Sequence, residues 1–279
     1  MRFFIPTPST SVLELGSLTI HFYALAILLG IIAALLIARH QYARSGGDIE
    51  EISELALWTI LAGIVGGRLY HVITSPDAYF GTGGHPLNAL KIWEGGMGIW
   101  GAVAVGGAVA YLLFRSKPRS QPFATLADAL APALLVAQGI GRWGNWFNGE
   151  LFGSPTTLPW GLQIPLGLRP VGYESFATFH PTFLYESLWC FAGALILMKV
   201  PPFQRLRPGY RFVAYVAIYT LGRTWIEALR IDDAHHIFGL RLNLWVSGTL
   251  LLISIVALMR RGFSHSSVLD ENGEVDSSS

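Results

Sequence analysis

The sequence predicts an all-α membrane protein that crosses the bilayer about seven times, with a small outward-facing head between the fourth and fifth spans. Three observations support this prediction. Of 279 residues, 52% are hydrophobic and 13% are charged, a charged fraction about half the roughly 25% of a typical soluble domain. Apolar segments of about 20 residues, enough to cross a bilayer core about 30 Å thick, recur along the chain. A Gly- and Pro-rich stretch separates the fourth segment from the fifth.

The candidate spans are interrupted in places by glycines or charges, and the second and third are the weakest. They lie near residues 18–38, 53–74, 95–114, 124–141, 181–198, 212–230 and 243–259. The first is too long for the apolar part of a signal peptide, so it is predicted to be retained. Residues 142–180 form the head, in which alternation over residues 160–164 indicates a short strand. We therefore expect a single membrane domain over residues 1–263 and a disordered cytoplasmic tail over residues 264–279.

The distribution of Lys and Arg between alternate loops predicts the orientation of the chain. Eleven lie in one set of loops: Arg39, Arg44, Arg115, Lys117, Arg119, Lys199, Arg205, Arg207, Arg211, Arg260 and Arg261. Six lie in the other set: Arg2, Lys91, Arg142, Arg169, Arg230 and Arg241. Because the richer set faces the cytoplasm in membrane proteins, the N-terminus and the head are expected outside and the C-terminus inside.

Composition and missing motifs exclude or disfavour several classes of function. The net charge of +1 is nearly neutral and no basic block is present, so no nucleic-acid partner is expected. The single cysteine, Cys190, excludes an internal disulfide and a CxxC motif. The chain has no G-x-S-x-G, H-E-x-x-H or G-x-x-x-x-G-K motif, which disfavours a serine or zinc hydrolase. Asp232, Asp233, His235 and His236 lack a diagnostic ligand spacing, so neither a metal nor a cofactor is predicted.

The densest group of polar residues is predicted at the outer end of the fourth span, in residues 141–153. Four glycines in these thirteen residues argue against a regular helix and allow the backbone to approach a ligand closely. Arg142 offers a planar fork of donors suited to a phosphate, while Asn145 and Asn148 add neutral donors and acceptors. Glu150 either orients that arginine or accepts a ligand hydroxyl. The alternative is an interfacial loop capped by Arg and Asn.

The sixth span carries a second polar group on one helical face. Its members are spaced by four, four, four and three positions, namely Tyr215, Tyr219, Arg223, Glu227 and Arg230. An ionised side chain within a span costs about 2.5–3.5 kcal/mol on insertion scales, so these groups should face the helix bundle or a polar cavity. The alternative is that Arg223 and Glu227 only neutralise each other, which would leave Arg230 available for an anion.

Weaker signals lie in the first and second spans. Arg68 follows the close-packing pattern Gly63-x-x-x-Gly67, so an arginine paired with backbone or carboxylate inside the bundle is as good an explanation as a binding role. His21 and Tyr23 lie at the outer end of the first span, where an aromatic belt at the membrane interface explains them equally well.

The fifth span opens with a His-Pro-Thr-x-x-Tyr-Glu sequence at residues 180–186. Pro181 near the first helical position and Glu186 in the first turns are sufficiently explained by the preferences of a helix start. His180 and Tyr185 are the candidates for a binding role in this segment.

These motifs resemble those of one family, the prolipoprotein diacylglyceryl transferases, over about residues 16–260. The family signature G-R-x-G-N-x-x-N-x-E-x-x-G is matched at every fixed position by Gly141, Arg142, Gly144, Asn145, Asn148, Glu150 and Gly153. The family's H-x-Y, G-G-R, H-P-[ST]-x-x-Y-E and R-x-x-x-E-x-x-R elements resemble residues 21–23, 66–68, 180–186 and 223–230, and Asp232 follows the last of them.

One position departs from the family pattern. Many members read Ser-x-His-Gly-Gly after a Gly-Gly-Met element, whereas residues 98–102 here read Gly-Ile-Trp-Gly-Ala. The histidine that is sometimes proposed as the catalytic base is therefore Trp100 in this chain. The resemblance supplies no base at this position.

The resemblance implies an enzyme of the bacterial inner membrane that needs no cofactor. It would move the sn-1,2-diacylglyceryl group of phosphatidylglycerol onto the lipobox cysteine thiol of prolipoprotein signal peptides, releasing glycerol 1-phosphate. Arg142 with Asn145 would bind the phosphate, and Arg223 would stabilise the leaving group or the thiolate. Glu227 and Glu150 would orient those arginines.

The substrate-binding residues implied in this way are Tyr23, His21, Arg68, Asn145, Asn148, Gly153, His180, Tyr185 and Arg230. The group that takes the thiol proton is left open among His21, Glu227 and water. The main alternative function is a secondary transporter or channel for an anionic solute, against which the lack of internal repeats and the one-sided crowding of polar residues both argue. A non-catalytic lipid-binding protein would leave the Arg, Asn and Glu clusters unexplained.

Overall fold

The computed structural model describes residues 4–16, 18–92, 95–234 and 236–262. Within them, six helices are long and apolar enough to cross a membrane, which confirms the predicted all-α polytopic class. They are α1 (Phe22–Arg44), α2 (Ile49–Thr74), α4 (Ile99–Ser116), α5 (Phe123–Asn148), α6 (Thr182–Lys199) and α9 (Leu242–Ala257), the last continued by a π-helical turn over Leu258–Gly262. Two short helices connect longer ones, α3 (Asp77–Phe80) and α7 (Pro201–Gln204), as do 3₁₀ turns at Pro86–Leu90 and Leu166–Leu168.

The helix that corresponds to the predicted sixth span is α8 (Tyr210–Leu229). It has 20 residues, but it falls outside the set of helices that qualify as membrane spans by length and composition. Its polar face, which carries Arg223 and Glu227, lowers its hydropathy. A seventh crossing therefore stays a prediction.

Short strands connect the helices of the described chain. A three-stranded sheet has the order β1 (Ile5–Pro6), β4 (Leu162–Gln163) and β5 (Thr178–Phe179), with β1 parallel and β5 antiparallel to β4. The strand expected within residues 160–164 is confirmed as β4. Two hairpins are formed by β2 (Val12–Leu15) with β3 (Leu18–His21) and by β6 (His236–Ile237) with β7 (Leu240–Arg241).

The chain divides into two compact units, and one of them comprises Ile31–Ala133. Its buried core consists of Ala38, Tyr42, Ile52, Leu55, Phe114, Leu126, Ala129 and Ala133. Helices α2 and α4 approach closely at Gly66 and Gly101, where a Cβ added to Gly66 would lie 2.5 Å from the carbonyl oxygen of Gly101. The close helix packing that Gly63-x-x-x-Gly67 predicts is therefore present, and its tightest contact lies at Gly66, within that pattern.

The other unit comprises Met1–Gly30 and Leu134–Ser279. Its irregular segment between α5 and α6 has a core of its own, formed by Phe152, Leu162, Ile164, Phe179 and Phe183. Phe22 stacks on Phe147 with ring centroids 4.7 Å apart, which joins the start of α1 to the end of α5. In the same unit α8 packs against both α6 and α9.

The prediction that residues 141–153 avoid regular helix is wrong for their first half, because α5 continues to Asn148. Glycine in a helix costs only about 1 kcal/mol, which packing can outweigh. The backbone at Gly144 lies against Tyr23, where a Cβ would come within 2.5 Å of the ring. The helix ends at Gly149, whose φ of 62° suits glycine, so the irregular segment begins there and not at residue 142.

Several expectations about the organisation of the chain stay predictions. That the head predicted over residues 142–180 faces outward, and that residues 1–263 are a single membrane domain, are two of them. The disordered tail over residues 264–279 lies outside the described residues, as do Arg2 and His235.

Candidate active site

Glu186 joins two of the predicted functional arginines. It lies on α6 with only 4% of its surface exposed. One carboxylate oxygen lies 2.8 Å from Nη2 of Arg142, and the other accepts a hydrogen bond of 3.1 Å from Nη1 of Arg223. The hydroxyl of Tyr219 donates to the first oxygen at 3.4 Å. Residues from α5, α6 and α8 thus meet at one carboxylate.

Glu227 is the second carboxylate of the site, and its side chain is fully buried. Oε2 accepts from Arg223, one turn earlier on α8, and lies 3.6 Å from Nη1 of Arg230. Oε1 accepts from Nε of Arg241 at 2.8 Å and from the Asn243 amide at 3.0 Å. Arg223 and Glu227 do pair with each other, but each also has other charged partners.

Asp232 is the third carboxylate, and it lies in the connection between α8 and α9. Its two oxygens accept from Nε and Nη2 of Arg230 at 2.7 and 2.8 Å, and Nη2 of Arg241 donates to it at 2.9 Å. Burial raises the pKa of this carboxyl, but the hydrogen bonds and charges of Arg230 and Arg241 outweigh burial and leave the pKa below its ordinary value. Arg230 is therefore not an unpaired cation, in contrast to the expectation that it would be left available.

These ion pairs form one continuous chain, which we call the arginine network. It contains four arginines and three carboxylates, and so carries one positive charge in excess: Arg142, Glu186, Arg223, Glu227, Arg230, Asp232 and Arg241. Buried charges persist only when they are paired and hydrogen-bonded, because desolvation of each ion costs several kcal/mol. This count leaves out the Glu150 carboxylate, which is linked to Arg142 only through the Asn145 amide.

A narrow cleft, too tight in this structure to hold a water molecule, lies beside the network. It is lined by Arg142, Asn145, Leu151, Thr182, Phe183, Glu186 and Arg230. Two arginines and one asparagine that the sequence singled out therefore share a single concave surface. Glu186 also lines the cleft, although it was assigned only to a helix start.

Glu150 acts on Arg142 through an asparagine and does not touch it directly. The Glu150 carboxylate accepts from the amides of Asn145 at 2.9 Å and Asn148 at 3.1 Å. The oxygen of the Asn145 amide in turn accepts from Arg142 at 3.4 Å. Glu150 thus holds the side-chain amides of Asn145 and Asn148, and this contact orients the oxygen of the Asn145 amide toward Arg142.

The other predicted residues of this unit are not members of the network. Gly153 is close to His180, since a Cβ there would lie 2.8 Å from that of the histidine. His180 contacts the Tyr185 hydroxyl through Nδ1 at 3.1 Å, and burial lowers its pKa, which favours a neutral ring. Tyr23 lies against Gly144, and His21 ends β3 opposite Val12.

Arg68 lies in the other unit and organises a loop. Its guanidinium donates to four carbonyl oxygens, those of Asn88, Ala89, Gly95 and Gly96. It also lies 5.3 Å from the centre of the Tyr79 ring. These contacts agree with the alternative explanation of Arg68, an arginine paired with backbone. Its role in substrate binding stays a prediction.

Sequence reasoning missed four members of the site. Glu186 was explained by its place near a helix start, and Arg241 was counted only as a loop charge. Asn243 was not considered, and Asp232 was noted only as a metal-ligand candidate and as the acidic residue after the R-x-x-x-E-x-x-R element. The signals that could have found them were the acidic residue inside the fifth span and the Arg-x-Asn pair at the start of α9.

In the described part of the chain, no three His, Cys, Asp or Glu residues are grouped to hold a metal, and Asp232 is paired with arginines.

The fold and the site together define a multi-pass membrane protein with a buried, ion-paired arginine cluster beside a polar cleft. The sequence model of the prolipoprotein diacylglyceryl transferase family matches residues 10–260. The chain belongs to that family, and so is a transferase.

Similar proteins carry the same description. A phosphatidylglycerol–prolipoprotein diacylglyceryl transferase of Cutibacterium acnes is 49% identical over 269 residues, covering 94% of this chain and 90% of the relative. One from Streptomyces coelicolor is 48% identical over 262 residues, covering 94% and 82%. One from Bifidobacterium adolescentis is 44% identical over 268 residues, covering 92% and 79%.

Proposed function

We propose that this chain transfers the sn-1,2-diacylglyceryl group of phosphatidylglycerol to the lipobox cysteine of prolipoproteins, the first step of lipoprotein maturation. The family match over nearly the whole chain carries this proposal. In the reaction the cysteine sulfur forms a bond to the glyceryl carbon, and the bond from that carbon to the phosphate oxygen breaks. The products are a thioether and glycerol 1-phosphate, and the thiol proton leaves to a base or to the released phosphate.

The charge of the arginine network supports a phosphodiester substrate. Phosphatidylglycerol carries a single negative charge on its phosphate, which equals the network's excess positive charge. Arg142 lines the cleft with a planar fork that suits two phosphate oxygens, and Asn145 beside it adds a neutral amide. We assign phosphate binding to Arg142 and Asn145, and headgroup contacts to Tyr23.

Arg223 is assigned to the charge that develops during the reaction. A free thiol with a pKa of about 8.5 must lose its proton before it attacks carbon, and a nearby guanidinium favours the thiolate. The leaving phosphate gains charge in the transition state, where preorganised cations stabilise it most. Arg223 is held between Glu186 and Glu227, so its direction is set before substrate arrives.

We propose that the enzyme lies in the cytoplasmic membrane of a bacterium, with the N-terminus outside and the C-terminus in the cytoplasm. Support for this orientation comes from the eleven cationic residues in one set of loops against six in the other. In this orientation the end of α5, and with it Arg142, faces the outer leaflet. A secreted prolipoprotein, held in the bilayer by its signal peptide, would then present its lipobox cysteine on the same side.

A direct assay tests the proposed function. Purified protein is incubated in mixed micelles with phosphatidylglycerol and a lipobox peptide, and the peptide is analysed by mass spectrometry. We expect the peptide to gain the mass of one diacylglyceryl group, and glycerol 1-phosphate to appear in equal amount. A peptide with serine in place of cysteine, and micelles of phosphatidylcholine alone, are the controls. An unmodified cysteine peptide under conditions in which the protein is folded would refute the proposal.

A further inference from the structure

We propose that Arg241 is a positioning residue of this site: its guanidinium fixes the Glu227 carboxylate in the orientation that holds Arg223 for the transfer step. The inference rests on the proposed function, because it assigns Arg241 a part in that reaction. It adds a residue from the connection between α8 and α9, outside every motif that the sequence singled out.

The donors of Arg241 are occupied by the protein itself. Nε donates to Glu227, Nη1 to the carbonyl oxygens of Arg230 and Asp232, and Nη2 to the Asp232 carboxylate, all at 2.8–3.1 Å. The side chain is buried, and Arg241 is not among the residues that line the cleft. A guanidinium engaged in this way has little capacity left for a substrate phosphate. Its effect on the reaction must therefore pass through its partners.

The geometry of Glu227 shows how that effect is transmitted. A carboxylate is planar, so fixing one oxygen fixes the direction in which the other oxygen points. Arg241 and Asn243 hold Oε1, while Oε2 accepts from Arg223. Without the charged donor at Oε1, only the neutral Asn243 amide would hold that oxygen, and the carboxylate would be free to turn. Arg223 would then lose the fixed partner on one of its two sides.

The backbone that carries Arg241 is itself well defined. Arg241 pairs with His236 in the hairpin of β6 and β7, and it directly precedes the first residue of α9. Phe238 and Gly239 at the tip both have positive φ, of 50° and 79°, as in the tight turn that suits a two-residue hairpin. The indole of Trp245 on α9 donates to the carbonyl oxygen of Ile237 at 3.0 Å. Hairpin and helix together therefore set the point from which Arg241 reaches Glu227.

The test separates the shape of this guanidinium from its charge. Arg241→Lys keeps the net charge of the network but cannot hold Glu227, two carbonyls and Asp232 at once. We expect kcat to fall about 10- to 100-fold, the loss typical when a partner that orients a metal ligand is removed, because Arg241 orients Glu227 in the same indirect way. KM for phosphatidylglycerol should change by less than about twofold, because Arg241 makes no ground-state contact with substrate. Arg241→Gln should lower kcat similarly and also raise KM, because it removes the excess positive charge.

A double-mutant cycle distinguishes positioning from general destabilisation. If Arg241 acts through Glu227, then Arg241→Lys should change kcat by less than about threefold in a Glu227→Gln background. Arg169→Lys is the matched control: Arg169 also donates to two backbone carbonyls, those of Ile164 and Glu174, but lies outside the network. It should keep wild-type kcat, and thermal unfolding in detergent confirms that each variant is folded.

The outcomes are distinct from those of the proposed function. If the unmodified protein fails to modify the peptide, the proposed function is wrong. If the unmodified protein is active and Arg241→Lys keeps its kcat, the positioning role is wrong. A loss that is equally large with and without Glu227 would also overturn it.

Discussion

Glu186 is the residue through which Arg142 and Arg223 are connected. It accepts from both guanidinium groups while almost completely buried, so its charge fixes the separation and direction of the two cations. Glu186→Gln keeps the size of the side chain and removes the charge that both arginines share. We expect the variant to insert into the membrane and to lose transfer activity about 10- to 100-fold. The peptide assay, with membrane insertion checked by immunoblot, measures this.

Glu54 offers a matched control for that substitution. Its carboxylate also joins two cations, Lys117 at 2.6 Å and Arg119 at 3.0 Å, but in the unit formed by Ile31–Ala133. Glu54→Gln should therefore keep nearly full activity. Equal losses for the two variants would mean that Glu186 matters only as a structural ion pair.

Arg142 and Arg223 should be intolerant of even a conservative change. Lysine keeps the charge but loses the planar fork, so a bidentate contact weakens. Removing one preorganised donor at a developing anion typically costs about 2.7–4 kcal/mol, roughly a hundred- to a thousandfold in rate. We expect Arg142→Lys and Arg223→Lys to insert normally and to lose most of their transfer activity in the same assay.

Trp100 provides the contrast to these arginines. It stands where many family members have a histidine, it is half-exposed on α4, and it has no ionisable group to lose. Trp100→Phe should keep a substantial part of the activity. Near wild-type rates in both lysine variants would contradict the phosphate-binding assignment, while an inactive Trp100→Phe would give this position a part in the chemistry.

At the scale of elements, the packing around α5 predicts that alanine has different effects on stability at two of its glycines. A Cβ added to Gly144 would lie 2.5 Å from the Tyr23 ring, whereas a Cβ on Gly141 would meet nothing within 4 Å. Gly144→Ala should therefore destabilise the protein, because the start of α1 must move. Gly141→Ala should be neutral or stabilising by up to about 1 kcal/mol, since alanine favours helix. Thermal unfolding in detergent measures both, and the opposite order would show that Gly144 does not carry the contact.

The positions of the helices were largely accessible from the sequence, because hydropathy over about 20 residues reports directly on a bilayer. Their ends were not. The first span was predicted to start at residue 18, but residues 18–21 form a strand paired with β2. The fourth was predicted to stop at residue 141, but packing of Tyr23 on Gly144 lets the helix continue to Asn148. Both errors arise where tertiary contacts outweigh local preference.

The candidate site was predictable to the extent that its residues belong to periodic or dense local patterns. The spacing on α8 pointed to Arg223 and Glu227, and the end of α5 pointed to Arg142. Glu186 and Arg241 could not be placed in this way. Glu186 pairs with arginines on two other helices, and Arg241 reaches Glu227 from the hairpin that connects α8 to α9. Such pairings depend on how α6 and α9 pack against α8, which a pattern along one helix does not contain.

At the scale of the whole molecule, the orientation in the membrane can be tested by labelling. Cys190 is buried and is the chain's single cysteine, so new cysteines can be introduced in its background. Cysteines at Ser120 or Gln204 should react with an impermeant reagent only from the cytoplasmic side. A cysteine at Val171, which is 94% exposed between α5 and α6, should react only from outside. The reverse pattern would invert the topology and place the cleft at the inner leaflet.

The whole protein is also expected to work without a metal. The proposed charge stabilisation comes from arginines, and Asp232 is engaged by Arg230 and Arg241. Transfer activity should survive incubation with a strong chelator. Loss of activity that is restored by zinc or magnesium would overturn this expectation.

The unequal number of arginines and carboxylates in the network has a consequence for turnover. With a phosphodiester in the cleft, ligand and network together are electrically neutral. Cleavage produces a phosphate monoester whose second proton has a pKa of about 6, so near neutral pH the product carries almost two negative charges. The occupied cleft then holds more negative than positive charge, in surroundings that screen it poorly. Because a network with one excess positive charge attracts a dianion more strongly than a monoanion, the proposed mechanism implies that glycerol 1-phosphate leaves most readily in its singly protonated form.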